Sequence, residues 1–294
     1  MAISSFIPQI WDARLLNALD KAHVFANVVN RDYEGDIKQQ GDTVKINTIG
    51  AVTIGNYTKN TDFTTGPEAL ATTEQTLTID QAKYFNFQVD DVDAAQAAGD
   101  VMDKAMQRAA YGLNDAADAY LAKQLADSIT AGNGNLVATD AVALTAANVY
   151  ENVVKMKLLL DKANVPTVGR WLVAPPEMIA LILQDDRFVK TGGSMAEDVL
   201  QNGVVARAAG FDIYMSNNCF SKTATGTTTF TVTAGDEGAC TYAEQIVSTE
   251  AYRPEKRFAD AVKGLHVYGA KVVDAKRLAG LKCTFSARQN RIKT

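Results

Sequence analysis

Cysteine is scarce in this 294-residue sequence, limited to Cys219, Cys240 and Cys283. An odd, sparse set fits reduced thiols in a cytosolic compartment better than a disulfide framework. The spacing of the three is not that of a zinc site. Histidine is scarcer still, at His23 and His266 alone. The patterns HExxH, paired CxxC and Walker A are all missing, which argues against zinc-enzyme and P-loop NTPase chemistry. No apolar run approaches the roughly 18 residues that span a bilayer. The opening MAISSFIPQIW lacks the basic and apolar stretches of a signal peptide. A basic excess is missing too: 29 Lys and Arg stand against 34 Asp and Glu, a net charge of −5, which argues against a dedicated nucleic-acid binder. The expectation is a soluble, cytosol-made protein with no membrane segment, no metal and no cofactor.

What is present is globular. Apolar residues make up 47% and charged residues 21%, which excludes disorder and collagen-like order, and the length allows about two domains. Charge is uneven along the chain. Residues 253–294 hold eleven Lys and Arg against three Asp and Glu, so residues 1–252 sum to −13. Such asymmetry suits halves that attract each other, or one face turned toward an anion.

Residues 9–26 read as a short amphipathic helix. Pro8 suits a helix start, and Trp11, Leu15 and Leu19 form one apolar stripe that needs a partner surface. From Gly41 to Asp90 the period becomes strand-like, with Val44, Ile46 and Thr48 alternating, then Phe85, Phe87 and Val89. The Thr-rich stretch 56–76 lies between them. A long two-stranded hairpin is expected, its base packed and its polar outer part projecting. Such a ribbon is marginal alone in water, so a projecting one makes sense if something else holds it.

A single helix is expected over 92–129, on the stripe Met102, Met106, Ala109, Leu113, Ala116 and Tyr120, widened by Leu121, Leu125 and Ile129. At about 1.5 Å per residue it would run roughly 57 Å. AGNGN at 131–135 ends it with glycine turn chemistry. Beyond Ala138 a second domain is expected. It begins with a helix started by Thr145 and carrying Val149, Val153, Met156, Leu160 and Ala163. A buried strand at 171–174 and a helix from Pro175-Pro176 follow. Ser194 and Glu197 form a capping box for a third helix. Phe211–Met215 reads as a strand, 221–241 as a Thr/Gly hairpin, with further strands around Ile246, His266–Val273 and Leu281–Phe285. Without regular βαβ repetition the class is α+β.

Catalytic patterns are weak. TGGSMAEDV around Ser194 nearly matches a nucleophile elbow, but it follows a helix end rather than a strand, and a glycine turn before a capped helix explains each residue. The histidines have no sequence-paired carboxylate. Asp90, Asp91 and Asp93 read as a dipole-stabilising helix start. The basic residues of the tail are irregularly spaced and lack interleaved aromatics, which argues against base reading; a loose contact with a polyanion or with the acidic long helix remains. A hydrolase using Ser194 or Cys219 is the alternative from another class. What stands out is mechanical: an apolar N-terminal helix, a projecting hairpin and an overlong helix between two domains.

These residues resemble the major capsid (coat) proteins of tailed bacteriophages, which have the Hong Kong-type capsid fold. FIPQIWDARLLNALDKAHVFANVVNRDYEGDIKQQGDTVKI (6–46) is similar to that family's N-arm leading into its extended loop. RWLVAPPEMIALILQDDRF (170–188) is similar to the axial-domain strand and helix. EAYRPEKRFADAVKGLHVYGAKVV (250–273) is similar to the return into the peripheral domain. The resemblance implies an N-arm at 1–40, an extended β-hairpin loop at 41–89 and a peripheral domain with its spine helix at 90–137. It further implies an axial domain at 138–249 and a return to the peripheral domain at 250–294.

The function implied is structural and non-enzymatic: self-assembly into pentameric and hexameric capsomers of an icosahedral shell enclosing phage DNA. Location in the virion capsid and assembly in the bacterial host cytoplasm are implied with it. Trp11, Leu15, Leu19, Tyr57, Lys59 and Phe63 become candidate inter-subunit contacts. Lys276, Arg277 and Lys282 become candidates for facing DNA or for assembly. A separate scaffolding protein, a portal, a decoration protein and non-specific contact with packaged DNA are the implied partners. Lys59 is also the lysine placed for a Lys–Asn cross-link, although no matching Asn or catalytic Glu is identifiable. A tail-tube or sheath subunit, or a shell protein enclosing enzymes, are the alternatives nearest in kind.

Overall fold

A computed structural model describes residues 24–33, 41–49, 52–56, 59, 68–70, 72–90, 101–185, 204–224, 226–255 and 259–285. In chain order the elements are β1 (Thr43–Ile49), β2 (Thr72–Thr78), β3 (Gln81–Asp90), α1 (Val101–Ser128), β4 (Val142–Ala143), α2 (Val149–Lys162), β5 (Arg170–Ala174) and α3 (Pro176–Ile182). There follow β6 (Val204–Ala208), β7 (Phe211–Met215), β8 (Ser221–Ala224), β9 (Thr227–Asp236), β10 (Cys240–Tyr252), β11 (Ala259–Val272) and β12 (Leu278–Thr284). The α+β class expected from the sequence is the class observed.

The strands form three sheets. β1 and β2 make a two-stranded antiparallel ribbon, and β10, β11 and β3 a three-stranded antiparallel sheet. The seven-stranded sheet runs β4, β12, β9, β5, β7, β6, with β8 beside β9. It is mixed, since β5 lies parallel to β7 and antiparallel to β9. α2 and α3 bury Val153, Met156, Leu160, Met178 and Ile182 against its Leu172, Ile213, Val232, Ala234 and Leu281.

α1 covers one face of the three-stranded sheet, where Met106, Ala110 and Leu113 meet Val262, Phe85 and Phe87. Its C-terminal half enters a second cluster that holds both sheets together: Ala117, Leu121 and Leu125 pack with Trp171, Val173, Tyr242, Tyr268 and Leu278. The two sheets therefore share a core.

Several expectations are corrected. The return strand of the hairpin is β2, not Phe85–Val89. Those residues belong to β3, which pairs with β11. Alternation marks a strand with one buried face but does not name its partner. Here only Ile79 and Asp80 separate β2 from β3, and the phenyl rings of β3 go to α1. The tail does not simply return to the smaller sheet: β11 does, whereas β12 runs between β4 and β9 in the larger one. Leu278, Ala279, Gly280 and Leu281 are consecutive buried residues, the pattern of a strand covered on both faces. β10 begins inside the expected axial segment yet pairs with β11.

α1 spans 28 residues in the described region, about 42 Å at about 1.5 Å per residue. Its buried face runs through Met106, Ala110, Leu113, Ala117, Leu121 and Leu125, with Ala109, Ala116 and Tyr120 on the flank. Gly134 closes the following 3-10 turn in the left-handed region at φ 69°, as the sequence implied. α2 begins four residues after Thr145; Asn148 precedes it and turns its side chain back to accept the Thr145 N–H at 2.8 Å. Residues 24–29 form bends and turns rather than the end of a helix. Trp11, Leu15, Leu19, the start of the long helix and the Ser194–Glu197 capping box lie outside the described residues.

Candidate assembly surfaces

The segment 24–33 is built into the body. Phe25, Ala26, Val28 and Val29 are buried beside α1 and β10. The Val24 N–H donates to Asp118 Oδ2 on α1 at 3.2 Å. Asn30 bridges to β10, its N–H reaching Cys240 O and its carbonyl accepting the Tyr242 N–H. Arg31 then places its guanidinium 2.6 Å from Glu244 Oε1. The same carboxylate accepts the Tyr242 hydroxyl at 2.7 Å and lies 3.0 Å from His266 Nε2. Burial, then the Glu244 charge, raises the Tyr242 hydroxyl well above its ordinary range, so it stays a donor. Whatever residues 1–23 do, their point of departure is fixed.

The hairpin has an inner and an outer part. Inside, Ile46, Leu77 and Ile79 are buried against Ala243 and Val267. Outside, large apolar side chains stand in solvent: Val52 is 59% exposed, Ile54 95% and Leu70 58%. Exposure of Ile54 on this scale is unusual for a residue type that is normally inside.

A second bare surface lies on the three-stranded sheet, on the face away from α1. The inner hairpin covers part of that face through Leu265, Val267 and Ala82. The remainder opens as a groove of about 320 Å³ that includes Tyr84, Asn86, Glu250, Lys263 and Leu265. Tyr84 is 79% exposed. Tyr252 borders the groove, its hydroxyl 3.1 Å from Asn86 Oδ1 and its ring 5.6 Å beneath Lys263 Nζ. The Glu250 carboxylate beside Lys263 raises that ammonium's pKa, so it stays charged.

The candidates named from sequence are scattered. Lys59 is exposed, while Tyr57 and Phe63 lie outside the described residues. Lys276 is exposed in the 3-10 turn between β11 and β12, with its N–H donating to Asp274 Oδ1. Arg277 in the same turn pairs with Asp236 Oδ2 at 2.8 Å, and its guanidinium crowds Gly238. Lys282 is half-buried within β12, opposite Thr231. The structure does not bring the three into one row. The sequence signal that reasoning passed over was the isolated Val52 and Ile54 at the edge of a Thr-rich stretch.

Chemistry is not favoured at the thiols. Cys219 is 5% exposed, and burial pushes its thiol well above the usual range. Cys240 and Cys283 are pushed up to about 12 by burial. Among the described residues no cluster of three His, Cys, Asp or Glu side chains could hold a metal, and no helix is long and apolar enough to cross a membrane. A larger hollow of about 510 Å³ lies beside Tyr150, Thr167 and Gly169. Its charged residues, Arg207 and Asp212, are paired with each other. Ser194 lies outside the described residues.

A family described as phage capsid protein matches residues 72–281. The chain is similar to a solved structure from Mycobacterium phage Che8, at 32% identity over 88% of this chain and 90% of that one, with a TM-score of 0.68. It shares its fold with the capsid of the cyanophage P-SCSP1u, at 15% identity, 90% and 89% coverage and a TM-score of 0.67. A virus-like particle from Pyrococcus furiosus has the fold at 12% identity, 94% and 99% coverage and a TM-score of 0.55. No curated protein matches the chain.

Proposed function

Since the chain belongs to the phage capsid protein family, we propose that its outer hairpin closes the shell by covering the Tyr84 groove of the next copy. The protein is a structural major capsid subunit of the Hong Kong-type fold, and its work is self-association rather than catalysis. The carrying observation is the pairing of two unsatisfied surfaces on one chain: Ile54 at 95% exposure and a groove walled by Tyr84 at 79%. One patch donates and a different one receives. Such a heterologous contact, repeated by rotation, closes rings. Fully burying one aliphatic side chain contributes about 1.5–3 kcal/mol, and a shell repeats that gain at every subunit.

In this reading β3, α1, β10 and β11 form the peripheral domain, and the seven-stranded sheet with α2 and α3 forms the axial domain at the centre of pentameric and hexameric capsomers. Residues 1–23, with Trp11, Leu15 and Leu19, serve as an arm rooted at 24–33. Tyr57, Lys59 and Phe63 extend the hairpin contact. Lys276 is the residue of the basic set best placed for packaged DNA or assembly; Arg277 and Lys282 contribute first to the fold. A separate scaffolding protein, a portal and a decoration protein are the remaining partners, with assembly in the host cytoplasm.

The test is the pair Ile54→Asp and Leu70→Asp in one chain, followed by sedimentation velocity and electron microscopy. The expected result is a chain with wild-type thermal unfolding that no longer forms shells. Normal shells from this variant would remove the hairpin from the contact.

A further inference from the structure

The two larger sheets guard their edges, with one exception. β4 has two residues and β8 four. β6 shifts register between Val204 and Ala206, and β10 between Ile246 and Ser248. Short or broken edges discourage a further strand from pairing. β3, by contrast, has ten residues, no proline and an unshifted register against β11. Among the described residues no strand pairs with its other edge. A long, regular edge of this kind is a template for another strand.

The groups that β3 offers follow from the ladder. Asn30 engages Cys240 O and the Tyr242 N–H, so these two residues of β10 aim their main chain away from β11. Main-chain direction alternates along a strand. Thr241 and Ala243 therefore face β11, at Lys271 and Gly269. The even-numbered residues of β11 then face β3, with His266 opposite Lys83 and Gly264 opposite Phe85. That leaves Tyr84 and Asn86 with N–H and C=O turned outward, and the same two residues line the groove. Phe85 and Phe87 point to α1 on the other face.

The hairpin carries a segment with the complementary need. Residues 52–56 (VTIGN) lie beyond Ile49–Thr72, the last pair of the described ladder; they are exposed and belong to no strand. The Thr53 N–H turns to Glu68 Oε2 of its own hairpin at 3.0 Å. In an extended strand Val52 and Ile54 aim their main chain the opposite way and share one face. Val, Thr and Ile are strand formers, yet this run has no strand beside it.

We infer that residues 52–54 of the next copy add to β3 as an antiparallel strand, with Ile54 opposite Tyr84 and Val52 opposite Asn86. Such an addition rests on the capsid reading and deepens it: main-chain bonds hold the hairpin as well as buried side chains. Directly opposed residues carry their side chains on one face of a sheet, so this register itself sets Ile54 beside Tyr84 in the groove. Main-chain bonds supply affinity in strand addition, and side-chain pockets supply specificity.

Asn86→Pro removes the outward N–H, a change that an edge strand accepts. Asn86→Ala removes the same side chain and keeps the N–H. Sedimentation velocity over a range of protein concentrations, with scaffolding protein where one is required, reads assembly of both full-length chains. The alanine variant is expected to form shells, and the proline variant to need at least about tenfold more protein while melting at the same temperature. Equal assembly of the two would overturn strand addition. In that case shells lost on Ile54→Asp with Leu70→Asp would leave the groove contact standing, and shells retained would remove it too. If proline lowers melting, residue-resolved amide exchange in wild-type shells decides. The Tyr84, Asn86, Val52 and Ile54 amides are expected to slow at least about tenfold on assembly, while Phe85 and Phe87, already bonded to β11, change less. Unchanged rates at Tyr84 and Asn86 would overturn the added strand.

Discussion

Glu244 holds His266 Nε2 at 3.0 Å with one oxygen while the other takes the Arg31 guanidinium at 2.6 Å. His266 is 1% exposed and the Glu244 side chain 10%. The carboxylate thus links β11 to a segment over two hundred residues earlier in the chain, just where the first residues leave the body. Removing the partner of a buried charge costs more than the pair contributes, because the remaining charge stays desolvated.

Arg31→Ala leaves Glu244 with the Tyr242 hydroxyl and the His266 ring. With Arg31 itself partly exposed, the expected loss is about 1–3 kcal/mol, together with faster proteolysis within 24–33. Adding Glu244→Gln recovers part of it. A chemical-denaturation double-mutant cycle measures the coupling, and additive losses would show that the pair does not act as one.

If residues 1–22 serve as an inter-subunit arm, their removal leaves thermal unfolding at the wild-type value; among the described residues the first anchor to the body is the part-buried Val24–Asp118 bond and the first core side chain is Phe25. Removal through residue 25 deletes both. It lowers stability by about 3–5 kcal/mol, the cost of emptying a buried phenylalanine site. Equal melting of the two truncations would place Phe25 outside the core.

Ala209 and Gly210 form the two-residue turn between β6 and β7 at φ 51° and 84°. Positive φ at both positions is the turn that favours Asn-Gly, and alanine is strained there. Ala209→Asn is expected to raise stability by about 0.5–1 kcal/mol, visible as a higher midpoint in denaturant. A lower midpoint would contradict the turn assignment.

Asp161 pairs with Lys157 at 2.9 Å and with the buried Arg170 at 2.7 Å, and these partners, Lys157 first, lower its carboxyl below the ordinary 3.8. The sign follows from a folded pKa below the unfolded one: the contribution is complete above the usual carboxylate range and is lost as pH falls through and beneath it. Asp161→Asn should therefore lower stability at neutral pH and have a smaller effect in strong acid. Melting curves across pH check this, and an effect that grows with acid would refute it.

Much of the larger sheet was legible because its residues carry local signals. Trp171–Ala174 is an unbroken apolar run, and Val149, Val153, Met156 and Leu160 repeat at helical spacing; all are buried as that spacing requires. Strand partnership was not legible. Phe85 and Val44 sit on equally regular alternations, and only the docking of α1 onto Val262 decides that one joins β11 and the other β2. The Glu244 cluster escaped notice because Arg31, Tyr242 and His266 have no sequence spacing in common. At the assembly surfaces, Lys276 and Arg277 read alike as charges, yet Asp236 ties down one and not the other.

Cryo-electron microscopy of particles formed by the purified chain, with its scaffolding protein where one is required, tests the central claim most directly. The account predicts closed shells in which Ile54 of one copy lies in the groove beside Tyr84 of the next, with the inner hairpin seated on its own β11 throughout. A folded chain that forms no shell with scaffolding present, or shells in which the Tyr84 groove faces solvent, would contradict it.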